Sequence, residues 1–403
     1  MANTIKLGNG NWATKEGSLL AYNDERNAFK PLPFTTTRAS SASVVNKQGL
    51  IETVGSGIPR IDYKDDSKGA LLLEPTRSNL LPYSDDFSNS NWVKSRSTFT
   101  IDSIQSPSGL INMGYLTEDT TANNTHYMRG FLTVTDGVNY TLSVFAKAKE
   151  RGIICLGDNA AIQASTGVWF DLTNGLVLTQ RSGYVGSIKD FGNGIYRCSV
   201  TYSASASRQY VDIALSLSDG VNVYTGDNTS GAYLWGAQVE QGSYATSYIP
   251  TQETTQTRVA DTASLLNLDT NNLVTDSGSW TVLFELELLS NETSMDKIRL
   301  TDVSGNPRAY LYHSSIGAVG TDWTGGTSIT MNTNNKIIYR ANSAQDITVF
   351  KNGVNAVTLA STSTPIVFNR ILLNGSNGAF KVKQMQVFNT TLSDTECINL
   401  TTI

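Results

Sequence analysis

Charge is scarce in this chain. Asp, Glu, Lys and Arg make up 16% of its 403 residues, against roughly a quarter in an average globular protein. The small imbalance is acidic, with a formal net charge of -5. No basic stripe interrupts it, so nucleic acid finds no electrostatic footprint. Histidine is rarer still. His126 and His313 stand far apart, and neither lies in a His-Glu-x-x-His frame. Gly-x-Ser-x-Gly and phosphate-loop patterns are missing too. Cysteine is limited to Cys155, Cys198 and Cys397. Their number is odd and their spacing suits no metal, so a disulfide scaffold is excluded. Cys155 and Cys198 fall inside apolar runs and read as buried thiols, which implies synthesis in a reducing cytoplasm. No apolar run is long enough to span a membrane. The leading residues Met-Ala-Asn-Thr-Ile-Lys-Leu-Gly carry no signal-peptide apolar core, so export by that route is not expected.

What the chain does have is Thr, Ser, Asn and Gly in abundance, with 17 Tyr and 6 Trp. Long helices need Glu, Lys, Ala and Leu in periodic array. Here the pattern has period two instead. In Tyr140-Thr-Leu-Ser-Val-Phe-Ala-Lys147, one face is Tyr140, Leu142, Val144 and Ala146. In Tyr196–Tyr202, it is Tyr196, Cys198, Val200 and Tyr202. Asp136-Gly137, Asn174-Gly175, Gly192-Asn193-Gly194 and Asp219-Gly220 separate such runs. Many short strands at this spacing predict an all-β protein of antiparallel β-sandwich, or jelly-roll, domains. Lys351-Asn352-Gly353-Val354 predicts a hairpin, because Asn-Gly suits a type I′ turn. Ser393 with Glu396 predicts a capping box opening a short terminal helix.

The clearest boundary is the stretch from Ile58 to Trp92. Residues 1–57 before it are polar, and their few apolar groups cannot offset the entropy of ordering them alone. They read as an N-terminal anchoring and oligomerisation segment, ordered by neighbouring copies or a larger assembly. Residues 58–251 read as one sandwich, 252–275 as a linker, and 276–403 as a second sandwich. Leu72, Leu73, Leu80 and Leu81 are expected in the core, with Arg60, Arg77 and Asn79 fixing the opening turn.

Two pieces carry a resemblance. Arg60-Ile-Asp-Tyr63, Leu72-Leu-Glu-Pro-x-Arg77-x-Asn79-Leu80, Ser84-x-x-Phe87 and Trp92 resemble the opening of a carbohydrate-binding-module-like jelly roll found in bacteriophage fibre proteins. Tyr233-Leu-Trp-Gly-Ala-Gln-Val-Glu-Gln-Gly242 and Tyr248-Ile-Pro-Thr251 are similar to its closing strand. Val349–Val354 with Lys383–Glu396 resembles the end of a laminin-G/concanavalin-like jelly roll. The resemblance implies a virion surface protein, a tail or head fibre. It would be homotrimeric, joined to other virion proteins, and touch host-surface glycans without nucleic-acid or membrane insertion roles.

Glycan binding needs aromatic faces for the C–H side of a sugar ring and polar groups for its hydroxyls. The candidates are Trp92, Trp169, Tyr184 and Tyr210 in the first sandwich. In the second they are Trp323 and Asp322, in a polar glycine-rich loop where an aromatic has little reason to be core. Trp235 reads as packed. Asp85, Asp86 and Glu240 read as solvated turn carboxylates rather than calcium ligands, and Glu285 with Glu287 as edge charges rather than a hydrolytic pair. No catalytic residue, metal or cofactor is assigned. The rival readings are a tailspike-like depolymerase and a purely architectural spacer.

Overall fold

The computed structural model describes residues 5–15, 18–23, 28–159, 166–266, 279–290, 296–312, 315–318, 329–342, 346–359 and 368–403. The protein is all-β: among the described residues the regular elements are antiparallel strands, one 3-10 turn and the terminal helix Asp394–Thr401. Among the described residues no helix is long and apolar enough to cross a membrane. The chain forms two compact units. One is made of Gln48–Glu52 and Arg77–Arg258, the other of Met1–Lys47, Thr53–Thr76 and Val259–Ile403.

The first of these, the inserted unit, is a sandwich of two six-stranded sheets. The front sheet runs Trp92–Ser95, His126–Phe131, Tyr210–Ser216, Ile153–Gly157, Val168–Asp171 and Leu176–Gln180. The back sheet runs Ser97–Gln105, Ile111–Glu118, Gly231–Gln241, Asn139–Ala148, Ile195–Ser203 and Tyr184–Asp190. Alternation in each strand sends one set of side chains between the sheets. Met128, Ile154, Phe170 and Ile213 come from the front; Leu142, Val144, Cys198 and Val239 come from the back. Arg77–Asn79 pairs with Gln256–Arg258, so the two chain connections leave this unit side by side. Asn79 locks that closure. Its Nδ2 donates to the carbonyls of Ala237 and Ile249 at 3.2 and 2.9 Å, and its Oδ1 accepts from the N–H of Leu81 and Val239.

The second, discontinuous unit is built on one long hydrogen-bonded strand path. From Ser315–Ala318 it runs through Pro307–Tyr312, Asp296–Thr301, Arg370–Asn374 and Thr262–Leu265. It continues through Ala28–Thr37, Ser18–Asn23 and Ile5–Gly8 to Phe380–Phe388, Trp280–Leu288, Asn334–Ala341, Ile347–Lys351 and Val354–Leu359. One buried cluster takes side chains from both halves of the path, such as Leu300 and Leu373 from one and Phe284 and Val349 from the other. The sheet therefore folds over onto its own apolar face. The terminal helix begins at the expected capping box, with Ser393 and Glu396 each bonding the other's backbone. Asn352 and Gly353 both adopt positive φ, 47° and 83°, as the hairpin turn requires.

The division of the chain differs from the expected one. Residues 1–57 do not stand apart: Ile5–Gly8 pairs along Phe380–Phe388, and Thr35–Thr37 lie in register with Thr262–Ser264. Ile5, Leu7, Leu19 and Ala21 are buried in the same core as the C-terminal strands. The segment is indeed too polar to fold alone, but its ordering surface is the far end of its own chain. The stretch from 58 to 92 is split as well. Leu71–Leu73 joins the discontinuous unit, pairing with Phe380–Val382, while Leu81 enters the inserted sandwich. The expected linker contains the strands Gln256–Arg258 and Thr262–Leu265; residues 267–275 of it lie outside the described residues.

A buried clasp closes the discontinuous unit where the chain leaves and returns. Arg60 Nη1 donates to Glu74 Oε2 at 2.7 Å, its Nη2 reaches Asp261, and Arg38 Nη1 meets Asp261 Oδ1 at 2.8 Å. Burial disfavours the Arg60 charge, but Glu74 and Asp261 outweigh it and hold its pKa above the ordinary value.

Candidate functional site

The strand His126–Phe131 reads His-Tyr-Met-Arg-Gly-Phe. Met128 points into the sandwich core, so alternation turns Tyr127, Arg129 and Phe131 to the outer face of the front sheet. The neighbouring strand is in register, with Arg129 opposite Asp212 and Phe131 opposite Tyr210. On the other side, the edge strand sets Val93 opposite Arg129 and Ser95 opposite Tyr127.

These side chains form a ladder of rings and guanidinium groups. Arg129 grips the buried Asp212 with two bonds, Nε to Oδ1 at 2.6 Å and Nη2 to Oδ2 at 2.9 Å. Burial works against the Arg129 charge, but Asp212 outweighs it and raises the Arg129 pKa. So held, the guanidinium carbon lies 3.7 Å from the Tyr210 ring centroid and 5.2 Å from that of Tyr127. Arg96, just past the edge strand, brings a second guanidinium to 5.5 Å from the Tyr127 centroid. Phe131 completes the ladder. Its ring meets Tyr210 edge-on at 6.4 Å and is 52% exposed. A single exposed apolar side chain is ordinary on a protein surface; this one is set apart by standing in line with the Tyr210 ring and the Arg129 guanidinium on one sheet face.

The rim of this face is set by two consecutive residues. Asp158 accepts the Tyr184 hydroxyl at 2.5 Å and the Arg208 Nη1 at 3.3 and 3.4 Å. Asn159 accepts the Tyr210 hydroxyl at 3.1 Å. Burial and the Asp158 carboxylate both push the Tyr184 pKa up, so its phenol stays a donor. Residues 160–165, which follow, lie outside the described residues.

Of the sequence candidates, Tyr210 lies on this face, while Tyr184, from the other sheet, packs against the inter-sheet core with its ring stacked on Tyr202 at 5.7 Å. Trp92 and Trp169 are corrected. Trp92 faces the core, 2% exposed, with its indole N–H donating to the Tyr83 carbonyl at 3.0 Å and Phe87 edge-on at 4.8 Å. Trp169 lies on the outer face but is shut off. Its N–H donates to Asn222 Oδ1 at 2.8 Å, and the Arg181 guanidinium lies 5.2 Å from its ring. Two hydrogen-bonded indoles without exposed faces have nothing to offer a sugar. Trp323 and Asp322 lie outside the described residues, as does His313. Trp235 is packed, as its neighbours implied.

Arg96, Tyr127, Arg129 and Phe131 were not among the candidates. The signal existed: Tyr127, Arg129 and Phe131 alternate with Met128, but which face was core could not be read without the partner sheet.

The acidic candidates serve structure. Glu240 is not a solvated turn carboxylate. It is wholly buried, accepting from the Thr246 hydroxyl at 2.6 Å and the Thr246 N–H at 2.8 Å. Burial raises its pKa against the pull of Thr246, Arg197 and Arg258. Asp86 accepts from the backbone and hydroxyl of Ser88. Glu285 accepts from the Asn334 side chain at 2.6 Å and from Gln384 at 2.5 Å, while Glu287 sits 3.9 Å from Lys383. Among the described residues no group of three His, Cys, Asp or Glu side chains could hold a metal.

No protein-family model matches the sequence, and no curated protein matches it. Solved structures with a partial likeness include the CBM40 of a Ruminococcus gnavus IT-sialidase, bound to alpha2,3 sialyllactose. It is 16% identical, with 33% of this chain and 86% of that one covered and a TM-score of 0.25. A tandem CBM22 domain of Paenibacillus barcinonensis Xyn10C is 9% identical over 79% of this chain and 99% of its own, with a TM-score of 0.25. A Trypanosoma rangeli sialidase is 8% identical over 99% of this chain and 83% of its own, with a TM-score of 0.29. Likenesses this distant assign no ligand to this chain, which is an all-β protein whose inserted unit is a β-sandwich.

Proposed function

We propose that the inserted sandwich is a lectin-like module that binds host-surface glycan, without cleaving it, on the outer face of its front sheet. The observation that carries this reading is the half-exposed Phe131 ring, set in line with Tyr210 and Arg129 by the strand register. The ring stacks on the apolar face of a sugar, and the Arg129 guanidinium on the same face supplies donors to hydroxyls. A shallow face of this kind holds each sugar weakly, so adhesion relies on several copies acting at once. The opening and closing motifs of the sandwich, which resemble those of bacteriophage fibre modules, support a place on a virion surface in a homotrimeric fibre.

The test is retention of the full chain on immobilised polysaccharide from candidate host bacteria. Phe131→Ala lowers retention about tenfold, equivalent to about 1.4 kcal/mol, and leaves the thermal midpoint unchanged. Equal retention of the variant overturns the placement of the site. Shortening of the polysaccharide during incubation overturns the non-catalytic reading.

A further inference from the structure

Within that face, the two arginines flanking Tyr127 are held in the same unusual way. Arg129 is anchored by its Nε and Nη2, both spent on Asp212. Arg96 is also anchored by Nε and Nη2, which donate to the backbone carbonyl and the hydroxyl of Thr125. In each case the Nη1 end of the guanidinium has no hydrogen-bond partner among the described residues. A guanidinium offers five N–H donors in a rigid fork, and here two forks are fixed at one edge and open at the other. Both are partly exposed, and both lie within 5.5 Å of one tyrosine ring.

Arg96 is more than a surface residue that happens to lie nearby. Its φ is 54°, a left-handed conformation that a long L side chain adopts at a cost. The backbone is clamped there, since the Arg96 carbonyl accepts from the Asp119 N–H at 3.0 Å and meets His126 Nδ1 at 2.8 Å. The clamp aims the side chain over Tyr127. No carboxylate neutralises it at ion-pair distance among the described residues. Asp119, which feels the Arg96 charge, turns its Oδ1 to the Thr121 N–H at 2.9 Å and lies 3.4 Å from His126. Packing alone has no use for a cation kept in this state. A neutral side chain would cover Tyr127 at the same backbone cost, since that cost belongs to any residue with a Cβ at this φ.

We infer that the glycan this face takes is acidic: the open ends of Arg96 and Arg129 receive the carboxylate of a uronic or nonulosonic acid unit, while Phe131 and Tyr210 take an adjoining ring. The inference rests on the glycan-binding reading above and names the substrate class of the same site. Charge-assisted bonds from arginine to carboxylate are roughly twice as strong as neutral ones, so the acid unit dominates selectivity while stacking supplies a floor of unselective affinity.

The experiment compares the full chain binding to a polyuronate and to the same polymer after reduction of its carboxyl groups to alcohols. At low salt the native polymer binds about tenfold more tightly, equivalent to about 1.4 kcal/mol, and the gap narrows at high salt because the contact is screened. Arg96→Gln keeps a side chain able to bond Thr125, removes the charge and narrows the ratio of the two affinities, with Arg129 left as the remaining cation. Near-ultraviolet circular dichroism and the thermal midpoint confirm that the variant is folded. Equal binding of both polymers by the unaltered chain, or an undiminished gap in Arg96→Gln, overturns the inference and leaves glycan binding standing. Failure to bind either polymer or any neutral glycan overturns both.

Discussion

The two units solve the same problem in opposite ways. The inserted sandwich takes almost all its strands from one continuous stretch, Arg77 to Arg258, and some of its pairings, such as Tyr184–Asp190 with Ile195–Ser203, join consecutive strands. The discontinuous unit brings residues 5–37 against residues 262–265 and 380–388, across most of the chain. Its N-terminal strands are not an appendage but the seam between the two halves of its strand path. The difference teaches where pattern reading works. Loop closure over such separations costs entropy before any contact repays it, and nothing in a local hydrophobic pattern announces the distant partner.

The largest test of this contrast is removal of residues 1–23. Without the central strands Ile5–Gly8 and Ser18–Asn23, the discontinuous unit loses its seam and the buried Leu7 and Leu19. Amide exchange resolved by peptide is expected to show loss of protection in residues 280–388 and retained protection in residues 139–203. Retained protection in both would make the N-terminal strands dispensable and erase the distinction.

Next in size is Arg60→Ala. It takes the Arg60 guanidinium from the buried Glu74 and leaves Asp261 with Arg38 as its cation, at a cost of about 3–5 kcal/mol, read as a shift of the discontinuous unit's denaturant midpoint. Asn79→Ala is the counterpart in the other unit. It leaves the N–H groups of Leu81 and Val239 and the carbonyls of Ala237 and Ile249 short of a partner. A loss of about 2–4 kcal/mol is expected, since each buried orphan costs about 1–3 kcal/mol. The midpoint of the inserted unit should fall while that of the other stays. A shift of both midpoints by either substitution would show that the units unfold as one.

The smallest effect concerns Glu240. Its pKa in the folded unit is raised above the usual 4.5, burial being the main cause. A raised carboxyl pKa means that the folded form holds the proton more tightly. The stability it contributes is present below pH 4.5 and is lost as pH rises through the folded value. Glu240→Gln should flatten that part of the stability-against-pH curve, matching the parent at low pH and exceeding it slightly at neutral pH. A large loss at pH 7 would mean instead that the charged pairing with Arg197 and Arg258 holds the unit together.

Much was legible from local chemistry. The alternating runs, the Asn352-Gly353 turn and the Ser393–Glu396 capping box are set by residues within a few positions of each other, and each formed as expected. Asn79 read correctly as structural. The site was legible only in part. Tyr210 stands on the front-sheet face, but its neighbours there, Arg129 and Phe131, come from a strand about eighty residues away. Trp92 and Trp169 misled because an indole suits a core and a sugar equally well, and the residues that close over them, Phe87, Tyr83 and Asn222, are chosen by folding.

By itself, then, the sequence determined that this chain makes β-sheets, where many of its strands turn, and that Tyr127, Arg129 and Phe131 share a face. Those properties depend on the two-residue period of a strand and on short-range bonds. Tertiary structure alone decided which face met water, which unit claimed the first strands, and that Arg96 and Arg129 converge on one ring. These depend on pairings between distant segments, whose entropy is repaid only when the whole sheet closes.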